Sequence, residues 1–439
     1  MNLADLKYSA YRVWKRILID RYLKVDKERY PEIQRKFLSQ LLNNSRQHVP
    51  FYKKLLDGKV IDETICFEIL RTLPIVDKGM IRSNNSFISD VVDPNWKYWH
   101  NTGGSTGEPL RFPTGGSGKS EVDREELCQA QLYMLMAGSY RIRISAIDGR
   151  RVNDESLSRN IYWGENELTF PYGKIHYSTM YLSDDTFQYY LNKLNEDKPE
   201  VLRGYSSGIY DLARYIRKNS SVLEFKLKGV YLTSENILDY QVELIEDVFK
   251  CKVWGQYGHS ESSIFAVRKP YQADYECSPL YGVVEVLGES GEHVNVGEVG
   301  EIVVTGFQNK ALPFIRYKTG DLAEYGGAEN GIVRLRQLMG RTNDYIISKD
   351  GEKIFLVGFI FGGHLSAFNH IETWQIVQDI PGVLEITIIP SGSYSEETEG
   401  ELKAFFSTNG FDVNLHYDGN IIKTKRGKQP FLIQNIKSN

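Results

Sequence analysis

Near the N-terminus apolar side chains return every three or four positions, at Leu3, Leu6, Ala10, Val13, Trp14, Ile17 and Leu18. That spacing predicts an amphipathic helix, with Lys and Arg crowding its other face. Such a helix can lie on a membrane surface or pack on its own domain, and the second is expected here. Residues 1–60 read as helices that end at His48-Val49-Pro50, because the residue before proline avoids the helical region. From about residue 190 the pattern alternates. Phe187 to Leu194 and Ile209 to Arg217 read as helices around a short strand, Val201 to Gly204. The strand Leu227 to Leu232, the helix Asn236 to Phe249 and the strand Lys252 to Gln256 follow. This rhythm predicts parallel βαβ units.

Beyond residue 280 short β-rich runs separated by Gly-rich turns take over, at Val283 to Leu287, Glu301 to Thr305 and Ile332 to Leu335. They predict an antiparallel, barrel-like section. Strand patterning resumes at Tyr345-Ile346-Ile347, then at Gln375 to Gln378 and Leu384 to Ile389. The expected architecture is α/β, or α+β overall. A large N-terminal domain, 1–341, would hold the parallel units and the barrel-like section. A small mobile α+β domain, 342–439, would follow.

Composition narrows the function classes. With 439 residues, 41% of them apolar, the chain can bury a large core, so disorder is excluded. Lys plus Arg number 53 against 57 Asp plus Glu, a net charge of −4, which argues against a dedicated nucleic-acid binder. The N-terminus lacks the apolar core of a signal peptide, and the longest apolar stretch, Ile354 to Phe361, is far too short to span a bilayer. The cytoplasm is therefore the expected location. The four cysteines, Cys66, Cys128, Cys251 and Cys277, form no C-x-x-C pair and read as small buried hydrophobes rather than metal ligands.

Several polar clusters carry candidate chemistry. Thr102-Gly103-Gly104-Ser105-Thr106-Gly107-Glu108-Pro109 combines glycines, which let amides approach a ligand, with hydroxyls that can donate to phosphate; it can equally be a turn. Gly115 to Ser120 ends like a Walker A loop, but Pro113 stands where that motif needs glycine, so it reads as a flexible turn. Gln256-Tyr257-Gly258-His259-Ser260-Glu261 follows a strand directly, where ligands gather in parallel sheets. There Tyr257 can stack on a flat base, Glu261 can hold Mg²⁺, and His259 is either a base or a structural residue. In Arg316-Tyr317-Lys318-Thr319-Gly320-Asp321 the carboxylate can accept ribose hydroxyls, or join an ion pair. Gly340-Arg341-Thr342-Asn343-Asp344 can serve a hinge. In the last eighteen residues Lys423, Lys425, Arg426, Lys428 and Lys437 form either a solvated basic tail or, at Gly427-Lys428, a phosphate-reaching turn.

In this order the clusters resemble the adenylate-forming (ANL) superfamily, and within it the phenylacetate–CoA ligase-like branch. His48-Val49-Pro50-Phe51-Tyr52, Leu73-Pro74-Ile75-Val76-Asp77-Lys78 and Pro313-Phe314-Ile315-Arg316-Tyr317 support that branch, and Asp344 to Gln378 resembles CapK-type proteins of capsular polysaccharide biosynthesis. The resemblance implies ATP-dependent activation of a carboxylic acid as acyl-AMP, with pyrophosphate released. The acyl group would then pass to CoA or to an amine or hydroxyl, a sugar among the candidates. It implies that Thr102, Gly103, Gly104, Ser105, Thr106 and Gly107 cradle phosphate, and that Ser234, Glu235 and Asn236 sit by adenine. Gln256, Tyr257, Gly258, His259 and Ser260 would complete the nucleotide site, with Asp321 on ribose and Arg341 nearby. Glu261 would hold Mg²⁺ and Lys428 the α-phosphate, the two acting in catalysis together with Thr106. Tyr205, Ser206, Tyr257 and His259 would line the acid pocket, and Asn343 or Asp344 would be the hinge. Leu110 stands where many members carry lysine, and Ser260 replaces the usual threonine. A second copy of the chain is a candidate partner; nucleic acid and a membrane span are not expected. The competing readings are a kinase using Gly118-Lys119-Ser120, which would release ADP, and an inactive carbohydrate-binding scaffold on the same fold.

Overall fold

The computed structural model describes residues 3–92, 98–102, 110–115, 123–166, 170–341, 344–356, 359–360, 367, 370–417, 419–422, 424 and 429–436, with the side chains of residues 3–12 excepted. Five helices open the chain: α1 (Leu3–Tyr22), α2 (Tyr30–His48), α3 (Pro50–Leu56), α4 (Cys66–Thr72) and α5 (Lys78–Ser83). Val49 is extended, as a residue before proline should be, but the helices do not stop there. Pro50 restarts one, since a proline at the first helical position loses no internal hydrogen bond. α1 packs on its own chain as expected, with Leu18 against the core and Trp14 half-buried. Ile19 is buried, Lys15 pairs with Asp123 and Glu126, and Asp20 accepts from the Tyr140 hydroxyl, while Val13 and Ile17 stay exposed.

β1 (Trp99–Asn101) and β2 (Arg111–Pro113) make a small antiparallel hairpin. α6 (Arg124–Ala137) follows, started by the Asp123 carboxylate accepting from the Glu126 amide and ended by Gly138 at φ +70°. The strands β3 (Ile144–Asp148), β5 (Ile175–Ser178), β6 (Val201–Tyr205), β7 (Gly229–Thr233) and β8 (Val253–Gly258) are parallel. After a short helix, α7 (Asp154–Ser158), β4 (Trp163–Glu165) closes that edge antiparallel. α8 (Phe187–Asp197), α9 (Ser206–Lys218) and α10 (Asp239–Phe249) bring the apolar stripe Leu191, Leu194, Ile209, Leu212, Ile216 and Ile245 against one face. α6 and the N-terminal helices cover the other. Every residue of β7 is therefore buried, as expected of a parallel strand covered on both sides.

The antiparallel section is hydrogen-bonded into this same sheet rather than set apart. β9 (Phe265–Arg268) pairs with β8, and β10 (Tyr275–Cys277), β11 (Gly282–Leu287), β12 (Val299–Gly306), β13 (Tyr317–Glu329) and β14 (Ile332–Arg341) extend it to twelve strands. After β14 come a two-stranded ribbon, β15 (Tyr345–Ile347) with β16 (Lys353–Phe355), and a separate four-stranded sheet. That sheet holds β17 (Ile371–Ile380), β18 (Val383–Pro390), β19 (Asp412–His416) and β20 (Leu432–Gln434), with α11 (Glu396–Thr408) packed on it around Trp374, Ile376, Leu402 and Phe406. Cys66, Cys128 and Cys277 are buried and Cys251 half-buried, all as free thiols. Burial pushes the Cys128 and Cys251 thiols up to about 12. No helix among the described residues is long and apolar enough to cross a membrane.

Candidate active site

Of the polar clusters, those of Ser234 to Asn236, Gln256 to Glu261, and Asp321 with Arg341 gather at the carboxyl ends of β6, β7 and β8, the edge where parallel sheets place their ligands. Three non-glycine residues with positive φ turn the chain there: Ser234 after β7, Ser262 after Glu261, and Arg316 before β13. Such backbone is costly and persists where surrounding contacts over-determine it. At Arg316 those contacts are visible. Its buried guanidinium makes two bonds to the Glu285 carboxylate, at 3.0 and 3.2 Å, and donates to the carbonyls of Arg71 and Leu73. It is a brace, and it holds the segment Leu73 to Lys78 beside β13. Val76 bonds the backbone on either side of Tyr317, donating to the Arg316 carbonyl and accepting from the Lys318 amide.

That brace delivers Lys78. The Asp77 side chain caps α5 through the Met80 amide, so Lys78 opens the helix, and its Nζ lies 3.9 Å from Glu261 Oε1. The same oxygen accepts from the fully buried Tyr317 hydroxyl at 2.9 Å, and Oε2 lies 3.3 Å from His259 Nδ1. Burial alone would raise the Glu261 carboxyl. The positive charge available at His259 and Lys78, with the Tyr317 hydrogen bond, outweighs burial and holds it at about 2. Glu261 is thus an ionised carboxylate inside protein. It contributes stability in full above about pH 4.5 and loses it as pH falls through about 2. The stability difference between wild type and Glu261→Gln should therefore shrink in acid, by on the order of 3 kcal/mol between pH 5 and pH 2. Denaturant melts at stepped pH measure it, and a pH-independent difference contradicts the ionised assignment.

A second pair flanks the first. The Tyr257 hydroxyl donates to Asp321 Oδ2 at 2.6 Å, Asp321 Oδ1 lies 3.5 Å from Arg341 Nε, and the Asp321 amide donates to Thr319 Oγ1. Burial and the adjacent carboxylate push the Tyr257 phenol well up, so it stays a donor. Asp321 is oriented before any ligand arrives and keeps an accessible face. Asp321→Ala should weaken ATP binding by about 1.5–3 kcal/mol, the range for hydrogen bonds to a charged group. Calorimetry reads it, and unchanged affinity refutes the ribose role.

On the next strand the Thr233 hydroxyl donates to the Gln256 side-chain oxygen, and the loop after β7 turns outward. Ser234 is exposed, and Glu235 Oε2 accepts from the Ser207 amide at 2.9 Å. Glu235 Oε1 accepts from the Gln429 amide at 3.4 Å, so the residue after Lys428 comes to the β7 loop. Ser207, Tyr210, Glu235, Asn236, Thr373, Gln429 and Phe431 border one small cavity there. The Arg214–Glu372 ion pair also ties α9 to β17.

Of the other expected residues, Tyr205 and His259 are half-buried, Ser206 is buried and Ser260 is exposed. Gly258 has no room for a side chain: a Cβ would meet Gln256 and the Ile264 carbonyl. Thr102 is buried, and its hydroxyl oxygen accepts from the Leu110 amide at 2.8 Å, closing the neck of the loop between β1 and β2. Asp344 is half-buried. Burial raises its carboxyl, Arg341 opposes that, and its amide donates to the Arg341 carbonyl. Gly103, Gly104, Ser105, Thr106, Gly107, Asn343 and Lys428 lie outside the described residues, as do residues 116–120 of the Walker-like run. That run follows the three-residue strand of an antiparallel hairpin rather than a central parallel strand.

For Mg²⁺ the donor chemistry fits. Among the described residues no three His, Cys, Asp or Glu side chains converge into a protein cage. One ionised carboxylate is nevertheless what Mg²⁺ takes when substrate phosphates complete its octahedron. Glu261 keeps lone pairs beyond the one used by Tyr317.

No protein-family model matches the chain. It is 26% identical to Protein CapK of Staphylococcus aureus over 422 residues, covering 92% of this chain and 89% of that protein. It is 24% identical to phenylacetate–coenzyme A ligase of Thermus thermophilus, over 73% of this chain and 72% of that one. Among solved structures, 2-hydroxyisobutyryl-CoA ligase in its postadenylation state superposes with a TM-score of 0.66 at 18% identity, over 92% of this chain and 89% of that one.

Proposed function

We propose that this chain, which belongs to the adenylate-forming superfamily and to its phenylacetate–CoA ligase-like branch, activates a carboxylic acid with ATP through the residues gathered at the ends of β6 to β8. As an AMP-forming ligase it works in two steps, adenylation and then acyl transfer. The observation that carries the assignment is the ionised, buried Glu261 beside the Tyr257–Asp321 pair.

In the first step a substrate carboxylate oxygen attacks the α-phosphorus. The bond to the β-phosphate oxygen breaks, and pyrophosphate leaves with its electron pair. Anion meets anion, so the site must supply positive charge and aimed donors. The amides and hydroxyls of the Thr102 to Pro109 loop, Thr106 among them, hold phosphate. Mg²⁺ supplies charge neutralisation on the phosphates when bound, at Glu261. Lys428 meets the α-phosphate. Asp321 accepts from the ribose hydroxyls, with Arg341 fixing its carboxylate. Ser234, Glu235, Asn236 and Tyr257 border adenine, with Gln256 and Gly258 beneath them. The acid lies against Tyr205, Ser206, Tyr257 and His259.

In the second step a nucleophile attacks the acyl carbon and AMP leaves. Residues 342–439 act as a small domain that turns about Asn343 or Asp344 to change the cavity. CoA is one acceptor; an amine or hydroxyl of a sugar is the other, and it would place the protein in surface polysaccharide synthesis in the cytoplasm. The stretch Asp344 to Gln378, which resembles CapK-type proteins of capsular polysaccharide biosynthesis, is the ground for that second acceptor. Incubation with cell extract and MgATP, followed by mass spectrometry of the protein-bound fraction, should reveal an acyl adenylate. Recovery of ATP alone under turnover conditions counts against the reading.

A further inference from the structure

Below Tyr205, assigned above to the acid, the same face of the sheet carries a second row of side chains. Arg203, Tyr231 and Trp254 stand in register across β6, β7 and β8, and Tyr205, Thr233 and Gln256 form the next row on the same face. The rows are about 7 Å apart, two residues along a strand. Central strands with helices on both faces should be sealed. Arg203, Tyr205, Trp254 and Gln256 instead keep accessible surface, and Tyr172, which faces the Arg203 guanidinium, is 37% exposed. These partly accessible side chains continue one face of the sheet inward from the reacting end.

Its floor is charged. The Arg203 guanidinium lies 4.7 Å from the Tyr172 ring centre and 5.1 Å from that of Tyr231. Its Nε is shut off from solvent and finds no hydrogen-bond acceptor among the described residues. The Tyr231 hydroxyl meets the guanidinium and also accepts from Gln129 Nε2 at 2.9 Å. The carboxylate on the facing helix, Glu125, is held back: Tyr281 donates to one of its oxygens at 2.7 Å and Gln129 to the other at 3.1 Å. Its field makes the buried cation tolerable without a direct bond. Gln129 Oε1 is buried and unpartnered in the same place. A guanidinium between aromatic faces, with its Nε unpartnered, is suited to pairing with a carboxylate through its planar fork. An aliphatic tail would leave that charge with only the unbonded Glu125 field to balance it, a weaker arrangement than a directly paired carboxylate.

We propose that the activated acid carries a second carboxylate at its far end, received by Arg203. The inference rests on the activation reading above, and it names the substrate class. The row spacing suits a short dicarboxylic acid, with about four to six bonds between its carboxyl carbons.

The test is acid-dependent ATP–pyrophosphate exchange with glutaric, adipic and pimelic acids against valeric, hexanoic and heptanoic acids. Wild type should prefer the best diacid over its methyl-ended match by at least about 10²-fold in kcat/KM, since a site built to pair a polar group rejects the analogue lacking it. Arg203→Met should abolish that preference and raise the relative rate with the methyl-ended acid. Arg203→Lys, which keeps charge but loses the fork, should fall between. A wild type that favours the methyl-ended acids, or a ranking unchanged in Arg203→Met, overturns the inference while leaving adenylation standing. The wild-type ranking decides the matter even if both variants fail to fold. Exchange with no acid at all would count against activation itself. Thermal stabilisation by the diacids alone would then still support the pocket, and its absence would overturn it.

Discussion

Glu261→Gln should slow pyrophosphate release by at least about 10²-fold and leave AMP binding almost unchanged. Glutamine has the same shape, and its side-chain oxygen still accepts from the Tyr317 hydroxyl, so the phenol keeps a partner. What disappears is the negative charge that burial opposes and that His259 and Lys78 sustain. If that charge places Mg²⁺ between phosphates, its loss is felt when pyrophosphate departs and not when a nucleotide without the leaving group binds. Raising Mg²⁺ should recover part of the rate. Wild-type activity of the variant in limiting Mg²⁺ would remove Glu261 from the metal site.

Lys428→Ala should slow adenylate formation by about 10²–10³-fold, by analogy with removal of one donor from a developing anion, and should hardly affect the second step. A lysine that meets the α-phosphate only while charge shifts there has no task once the adenylate exists. Preformed acyl-AMP, offered with acceptor, should therefore react at a near-normal rate. Lys425→Ala should do nothing, because that lysine is assigned no ligand. Equal loss in both half-reactions, with a lowered melting temperature, would make Lys428 structural. Identical behaviour of the two variants would make it one solvated tail cation among several.

Much of the site is legible in the chain because its parts are contiguous turns that follow strands. Gln256 to Glu261 sits at the end of β8 as the strand pattern indicates, and Asp321 and Tyr257, picked separately, share a hydrogen bond. What pattern alone misses is long-range. Lys78 belongs to a segment recognisable only as a string, and nothing local shows that Arg316, an apparent ligand-binding or surface residue, reaches back to brace it. β13 passes unnoticed because Gly320, Gly326 and Gly327 interrupt its alternation. β3 and β5 lie in a stretch without the clear rhythm of the later units, although Ile144 to Ile147 is fully buried. The brace, the Lys78 contact and the packing of Arg203 between Tyr172 and Tyr231 each join residues far apart in sequence, so only the folded chain displays them.

The most direct measurement of the central claim is the identity of the nucleotide product. Purified protein, MgATP and an acid panel should yield AMP and pyrophosphate in equal amounts, only when an accepted acid is present, and Asp321→Ala and Glu261→Gln should both suppress it. Acid-independent release of ADP, or no nucleotide turnover with any acid while ATP is bound, would contradict the account.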